Sequence, residues 1–551
     1  MRRASIPLLA AAGLALAAAP AQAAPTGRVL VLLHRADGAR AQASAVQAFL
    51  ARTGARRAGP QVPEIGLVTV RPPAGRSFAD FARTLRRDGS ARSVQLEGRM
   101  TLRAAPNDTA LTRPETASGV PPGTVMEWPA VTQRFQRAWD ITNGAGALVG
   151  VIDTGLDGTH PELSGKIAAA VDKEQAPTSP TTDTEGHGTH VASLACAATN
   201  NALGIAGAGH DCRLIVEKSD LTDSSIADSI VDATNRGALA INMSFGDDGT
   251  RPPVAAIQSA IDFAVQHNVV LVAAAADEAV KEQGQPSNLL QPSGTGPDLN
   301  SNKGLSITSS TFDGRNSGGG EGTQISMAAA GSFSRFDESA GPPGLLGVAP
   351  AGGARRLDGD FTSVPPVFPC GCRQSLDGAT FAYLQGTSMA APQVTAIAAL
   401  MRKLNPDATV SDVVRLLKQT ARRPAGTWTD QLGWGMLDAG AAVDAIARVD
   451  RRAPSSRARA VKRTRARRFR VRFSGTDPKP AGVRASGVAA FELWRSTNGG
   501  RFRRISRTRR KSVFVRGAPG RRYGFFTVAV DRAGNRERRP SRADVTVRVL
   551  R

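Results

Sequence analysis

Three short stretches bring an acid, an imidazole and a hydroxyl into one order along the chain. They are Asp153-Thr154-Gly155, His187-Gly188-Thr189-His190 and Gly386-Thr387-Ser388-Met389-Ala390-Ala391-Pro392. A serine hydroxyl is a poor nucleophile until a base takes its proton. The base in turn needs an acid to fix its tautomer and stabilise its charged form. The three residue types therefore suit nucleophilic catalysis, provided the fold brings them together.

The flanking sequence says how that could happen. Asp153 closes the apolar run Ala147-Leu148-Val149-Gly150-Val151-Ile152, which reads as a buried parallel strand. Its carboxylate then sits at a carboxyl edge of the sheet, where open α/β folds place their sites. His187 and Ser388 each follow a glycine and open an Ala-rich helical stretch. Pro392 reads as part of the first turn of that second helix, where a missing N–H costs nothing.

Taken together, these motifs resemble the subtilisin-like serine proteases, the subtilases, and the likeness runs from about Trp128 to Ala445. It includes Val149 to Gly155, His160-Pro161-Glu162-Leu163, His187 to Ala192, Ile241-Asn242-Met243-Ser244 and Gly386 to Pro392. The resemblance implies Ser388 as nucleophile, His187 as general base and then acid, and Asp153 as the residue orienting His187. It also implies that Ser244-Phe245-Gly246 pairs with an extended substrate backbone by strand addition. Ala276 would stand beside the specificity pocket, adding a methyl where the family often has Gly, which favours small or medium apolar side chains. Asp247 replaces a second Gly in the same region.

One departure matters more. After a strand like Val269 to Ala275 the family usually carries Gly-Asn, whose amide donates to the oxyanion, and here the pair is Ala276-Asp277. A carboxylate cannot donate and would repel the developing charge. Asp277 could serve only as the protonated acid, so activity would occupy a narrower and more acidic window. Thr199-Asn200-Asn201-Ala202-Leu203-Gly204-Ile205 resembles the family's calcium loop. Glu162 and Asn201 would offer side-chain oxygens, and Thr199, Leu203 and Ile205 carbonyls. The chemistry itself needs no cofactor, and a loop of this length closes without metal in some relatives. His160 and His190 read as structural, and His34 lies in a part expected to be removed.

Length and charge organise the rest. The chain has 551 residues, enough for two or three domains. Arg2-Arg3, the apolar stretch from Ile6 to Ala19 and Ala21-Gln22-Ala23 read as a secretory signal over 1–23, and no later run is long enough to cross a bilayer. The net charge of +23 divides unevenly: +11 up to residue 104, −14 over 105–450 and +26 over 451–551. Basic runs often serve nucleic acid, but for an exported chain the expected partners are protein or peptide substrates, its own prodomain as inhibitor, and anionic cell-wall polymers.

Four cysteines in an exported chain suggest disulfides rather than a metal site. Cys196 and Cys212, on a helix and just before the following strand, form a plausible pair. Cys370-Gly371-Cys372 would then close a very small ring or stay reduced.

The expected fold class is α/β: a subtilisin-like parallel sheet with helices on both faces over 106–450. A small α+β inhibitor-like prodomain over 24–105 precedes it. A basic linker over 451–468 and a β-sandwich over 469–551, resembling fibronectin type III or immunoglobulin-like modules, follow. Gln283 to Gly322 and Gly341 to Gly353 read as surface loop. The resemblance implies a secreted serine endopeptidase matured by prodomain cleavage near Arg103. The alternatives are a catalytically impaired subtilase fold binding cell-surface polymers through its basic module, and an adhesive envelope protein.

Overall fold

A computed structural model describes residues 28–34, 39–73, 76–97, 105–300, 303–352, 373–479, 483 and 485–551. The expected signal, the processing segment around Arg103, and Cys370 and Cys372 lie outside the described residues. The chain divides into two compact units, Met1–Ala104 and Ala105–Arg551.

The first unit is α+β. Strands β1 (Val29–Leu33), β2 (Arg56–Val62), β3 (Leu67–Arg71) and β4 (Ala91–Leu96) form an antiparallel sheet in the order β2-β3-β1-β4, with helices α1 (Ala39–Thr53) and α2 (Phe78–Leu85). Alternate residues of β1 (Val29, Val31 and Leu33) pack with Phe49, Phe81 and Leu85. The edge strand β2 has no apolar alternation to announce it, and its register breaks between Arg57 and Gln61.

The second unit is built on seven parallel strands: β5 (Leu148–Asp153), β6 (Ile167–Asp172), β7 (Arg213–Lys218), β8 (Ala240–Met243), β9 (Val270–Ala274), β10 (Gly304–Ser310) and β11 (Met327–Ala330). Their order is β11-β10-β9-β8-β5-β7-β6. Successive residues of a strand feed opposite faces. Val149 and Val151 join the core beneath helices α3 (Trp128–Thr132), α4 (Phe135–Trp139), α5 (His187–Cys196), α9 (Thr387–Leu404), α10 (Val410–Thr420) and α11 (Ala439–Ile446). Ile152, Ile215 and Leu271 join the core beneath α6 (Asp223–Asn235) and α7 (Ala255–Gln266), with α8 (Ser287–Leu290) alongside. Helices therefore cover both faces. Cys196, closing α5, is disulfide-bonded to Cys212 before β7, with Cα atoms 5.5 Å apart.

Two expected surface loops are corrected. The stretch 283–322 contains β10, an interior strand with all seven residues buried. Its sequence Gly-Leu-Ser-Ile-Thr-Ser-Ser hides it because the core here is polar. The Ser306 hydroxyl accepts from that of Ser287 at 2.7 Å, and Thr308 donates to the Gly320 carbonyl at 2.7 Å. The stretch 341–353 contains β12 (Leu345–Val348), paired with β14 (Ala379–Leu384), on whose other edge lies β13 (Arg373–Leu376).

At the C-terminus two sheets pack face to face. One is β15 (Ser455–Arg459), β17 (Arg468–Thr476) and β20 (Ser512–Arg516). The other is β16 (Arg463–Thr464), β22 (Val545–Val549), β21 (Arg522–Asp531), β18 (Val488–Thr497) and β19 (Arg503–Thr508). Phe469, Val471 and Phe473 from the first meet Leu493, Phe525 and Val547 from the second. The expected linker 451–468 is also corrected, since β15 and β16 lie within it. Backbone pairing to β17 and burial of Ala458 suffice to order β15 without an apolar run. No helix among the described residues is long and apolar enough to cross a membrane.

Candidate active site

Asp153 is the last residue of β5, buried to 3% exposure at the carboxyl edge of the sheet. Its Oδ1 lies 2.7 Å from Nδ1 of His187, the first residue of α5, and also accepts from the Thr154 N–H at 2.8 Å. Since a carboxylate only accepts, Nδ1 carries the proton and Nε2 is left as the basic nitrogen. Glycine is required next to it: a Cβ on Gly188 would stand 2.1 Å from the Gly155 carbonyl oxygen.

A residue that pattern reading missed, Asp183, holds the two elements together. Its Oδ1 accepts from the Thr154 hydroxyl (3.0 Å) and the Gly186 N–H (2.9 Å), and its Oδ2 from the Thr189 N–H (2.9 Å) and hydroxyl (2.7 Å). Thr154 in turn accepts from the Gly188 N–H at 2.9 Å. One buried carboxylate thus caps α5, whose N-cap Gly186 offers no side chain, and pins it to the residue after Asp153. An acid four residues before His187 was the available signal.

Ser388 is the second residue of α9, which begins after Gly386 at φ 142°, a conformation that favours glycine. Its hydroxyl donates to the Ser244 carbonyl at 3.1 Å, while the Ser244 hydroxyl donates to the Ser388 carbonyl at 2.8 Å. Pro392 lies beyond the first turn of α9, which corrects the expectation above. Four residues after Ser388, it lacks the N–H that would otherwise claim that carbonyl, so Ser244 takes it. The Asn242 amide donates to the Ser244 hydroxyl at 2.9 Å and Thr395 donates to Asn242 at 3.0 Å, which ties the end of β8 to α9.

Asp153, His187 and Ser388 line one cleft of about 320 Å³, together with Ser244, Phe245, Gly246, Ala276 and Asp277. Phe245 is half-buried and Gly246 exposed. The Ala276 N–H donates to Gln283 at 2.9 Å, and its carbonyl accepts from the Gly320 N–H at 2.7 Å. The buried Gln283, missed in the supposed loop, therefore fixes that wall of the cleft.

Asp277 Oδ1 accepts from both the N–H (2.7 Å) and the hydroxyl (2.8 Å) of Thr387, the residue before Ser388. Burial pushes its carboxyl above the usual carboxylate range, opposed by the Thr387 hydrogen bonds and by His187. The residue as a whole is exposed at the cleft mouth, while Gly386 and Thr387 crowd the carboxyl oxygens. That crowding sets the direction of the shift, and water at the mouth limits its size.

The residues expected to hold calcium are also gathered, but with hydrogen-bond donors facing them. Glu162 accepts from the Ile205 N–H and the Asn201 amide, both at 3.2 Å, and Asn201 Oδ1 accepts from the Leu203 N–H at 3.1 Å. Thr199 donates to the Ala197 carbonyl at 3.3 Å. Asp108, missed in the sequence, accepts from the Asn200 N–H at 2.8 Å. A cation site needs converging oxygens, and in this loop N–H groups donate to Glu162, Asn201 and Asp108. Burial raises the Glu162 carboxyl to about 8. His190 is structural: its Nε2 lies 3.1 Å from each of the Leu345 and Ala382 carbonyls, and burial lowers the ring to about 4.

The fold and this cleft define a subtilisin-like architecture. The sequence profile of the Subtilase family, peptidase S8, matches residues 144–435, and the chain belongs to that family. It is 30% identical over 327 residues to fervidolysin of Fervidobacterium pennivorans, covering 56% of this chain and 42% of the relative. It is 29% identical over 304 residues to thermitase of Thermoactinomyces vulgaris, covering 53% and 87%. A third relative, an extracellular protease of Xanthomonas campestris, is 28% identical over 410 residues, covering 66% of this chain and 61% of the relative. The chain thus spans less than half of fervidolysin and about three-fifths of the Xanthomonas protein.

Proposed function

We propose that the protein is an exported serine endopeptidase that cleaves peptide bonds through an acyl-enzyme on Ser388. The observation that carries this is the 2.7 Å contact between buried Asp153 and His187 Nδ1 in the cleft that Ser388 lines. For attack, the Ser388 hydroxyl turns from the Ser244 carbonyl and passes its proton to His187 Nε2 as its oxygen bonds to the substrate carbonyl carbon. His187 then protonates the leaving amine, and water, activated by the same nitrogen, releases the acid. The Ser388 N–H, an orphan donor at the start of α9, faces the oxyanion. Asp277 adds a donor only when protonated.

A serine-directed phosphonate should label the chain at Ser388. Absence of label under conditions where thermitase is labelled would favour the second reading, a subtilase fold impaired by Asp277. In that case the basic module would carry the function.

The small α+β unit is read as a prodomain that inhibits the cleft until cleaved near Arg103, and residues 1–23 as its export signal. The extracellular relative supports export. N-terminal sequencing of the protein from culture medium tests both. The C-terminal sandwich is read as an immunoglobulin-like or fibronectin type III module for attachment to anionic cell-wall polymers. Its Tyr523 hydroxyl, accepting from the Ala518 N–H at 2.9 Å, is the kind of strand-entry bond such modules use. Calcium is outside the reaction, and the loop of Glu162 and Asn201 stays closed without it. Chelation should leave both turnover and the thermal midpoint unchanged, and a midpoint that rises with millimolar calcium would reverse this.

A further inference from the structure

The outward face of the sheet β15-β17-β20 carries six arginines and one aromatic. On β17 the burial alternates, with Arg468, Arg470 and Arg472 exposed between buried Phe469, Val471 and Phe473. On the neighbours, Arg457 and Arg459 of β15 and Phe514 and Arg516 of β20 are exposed too. The register aligns them on one face: Arg459 stands opposite Arg472, Arg468 opposite Arg516 and Arg470 opposite Phe514.

Like charges placed directly across a ladder destabilise a sheet. None of the six pairs with a carboxylate among the described residues, and the contacts that engage them are those of Arg468 and Arg470 over the Phe514 ring. The other sheet handles the same residue type differently. There Glu492 binds Arg504 at 3.1 Å and Arg536 at 2.6 Å, and Arg539 lies over the Trp494 ring at 4.1 Å. Carboxylates of this module do neutralise arginines of the other sheet such as Arg504, although Arg463, Arg548 and Arg522 stand in register there without one among the described residues; the β15-β17-β20 face gathers the larger set.

We infer that this arginine face binds an extended phosphodiester polymer of the cell envelope, of the polyol-phosphate type. The inference rests on the reading of the module as an attachment device, and it locates the surface. Exposed positions repeat about 6.8 Å along a strand and about 4.8 Å between strands. A flexible chain with one phosphate per short repeat can match that lattice, and guanidinium forks suit phosphate oxygens. The face reads charge and not bases. Its single aromatic, Phe514, has the guanidinium groups of Arg468 and Arg470 at 4.6 and 4.8 Å from its ring centre, and one such ring offers no succession of aromatics on which a run of bases could stack. Nor does the face offer a cluster of apolar side chains to enter a bilayer.

The test uses the full chain and immobilised poly(glycerol phosphate), with the dissociation constant followed against sodium chloride. Single-stranded oligonucleotide and phosphatidylglycerol vesicles serve as competitors. Replacing Arg468, Arg470 and Arg472 by Gln should weaken binding on the order of 10²-fold and lower the salt slope by about 2. Replacing Arg501, Arg503 and Arg507 by Gln, an equal loss of charge at the edge of the other sheet, should change binding less than about threefold. Equal losses in the two variants would mean that net charge, and not this face, does the binding. Stronger competition by oligonucleotide or vesicle than by free poly(glycerol phosphate) would overturn the ligand class. No binding by the parent chain would overturn the attachment reading itself, whereas binding lost only in the Arg501 series would leave that reading intact and the face wrong.

Discussion

The catalytic body and the C-terminal sandwich solve opposite problems with polar residues. In the body they go inside: Asp153, Asp183, Asn242, Ser306 and Thr308 are all at 5% exposure or less, and the hydrogen bonds among their elements hold three reacting groups in place. The sandwich buries a few, such as Glu492, Thr527 and Asp531, but the β17 pattern of alternating Arg and apolar residues sends that strand's charges to solvent. The body carries −14 and the sandwich segment +26. The two cores share no residue, and the junction is polar: Arg451 on Asp412 at 2.6 Å, and the Ser486 N–H on Asp450 at 2.7 Å. Buried polar networks fix the geometry of the cleft, whereas the arginines of β17 are left exposed without carboxylate partners among the described residues.

The comparison breaks most visibly at Ser388. Ser388→Ala should lower turnover of a small peptide about 10⁶-fold and leave polymer binding untouched. A residual turnover above that level in a protease-free preparation would mean another nucleophile.

Next in size is Asp277. Burial raises its carboxyl, which donates to an oxyanion only while protonated, so turnover of the parent should fall as rising pH removes that proton. Asp277→Asn, which donates at every pH, should raise turnover at neutral and alkaline pH by up to about 10²–10³, the cost of losing one oxyanion donor in a subtilisin. Superimposable pH profiles for the two forms would remove Asp277 from the oxyanion hole.

A smaller effect tests the cost of burying charge in the body. Glu217 is fully buried on β7 with Arg236 no closer than 3.9 Å, and burial raises its carboxyl to about 8 from 4.5. Between those values the folded chain holds a proton that the unfolded chain has lost, so stability declines as pH rises through the window. Glu217→Gln should raise the thermal midpoint by about 2–4 °C at pH 8 and leave it nearly unchanged at pH 4. Calorimetry at both pH values decides it.

The smallest effect is expected from the sandwich on catalysis. A chain ending at Arg452 should hydrolyse a small peptide within about twofold of the parent rate, because the two hydrophobic cores are separate clusters. A large drop would show that the module supports the cleft.

How much was legible follows from the same contrast. The sandwich strand β17 could be read because one face is buried and the other wet, so alternation reports burial directly, whereas β18 and β21 are buried along most of their length and could be read from their apolar and aromatic content. The central strands β5, β7, β8 and β9 could be read because both faces are buried, leaving apolar runs. The interior strand β10 could not, since a core lined with Ser and Thr has the composition of a loop. Nor could Asp183 or Gln283, whose roles depend on partners brought near only by folding.

Local features could be read from the chain directly. Residue types, order and periodicity gave the Asp153, His187 and Ser388 candidates, the parallel sheet and the basic module. Side-chain direction came from the folded chain. It turns Asp277 toward Thr387, points N–H groups at Glu162, frees the Ser388 carbonyl for Ser244, and gathers six arginines from three strands onto one face. Side-chain direction depends on partners distant in sequence, and a linear pattern carries no record of who those partners are.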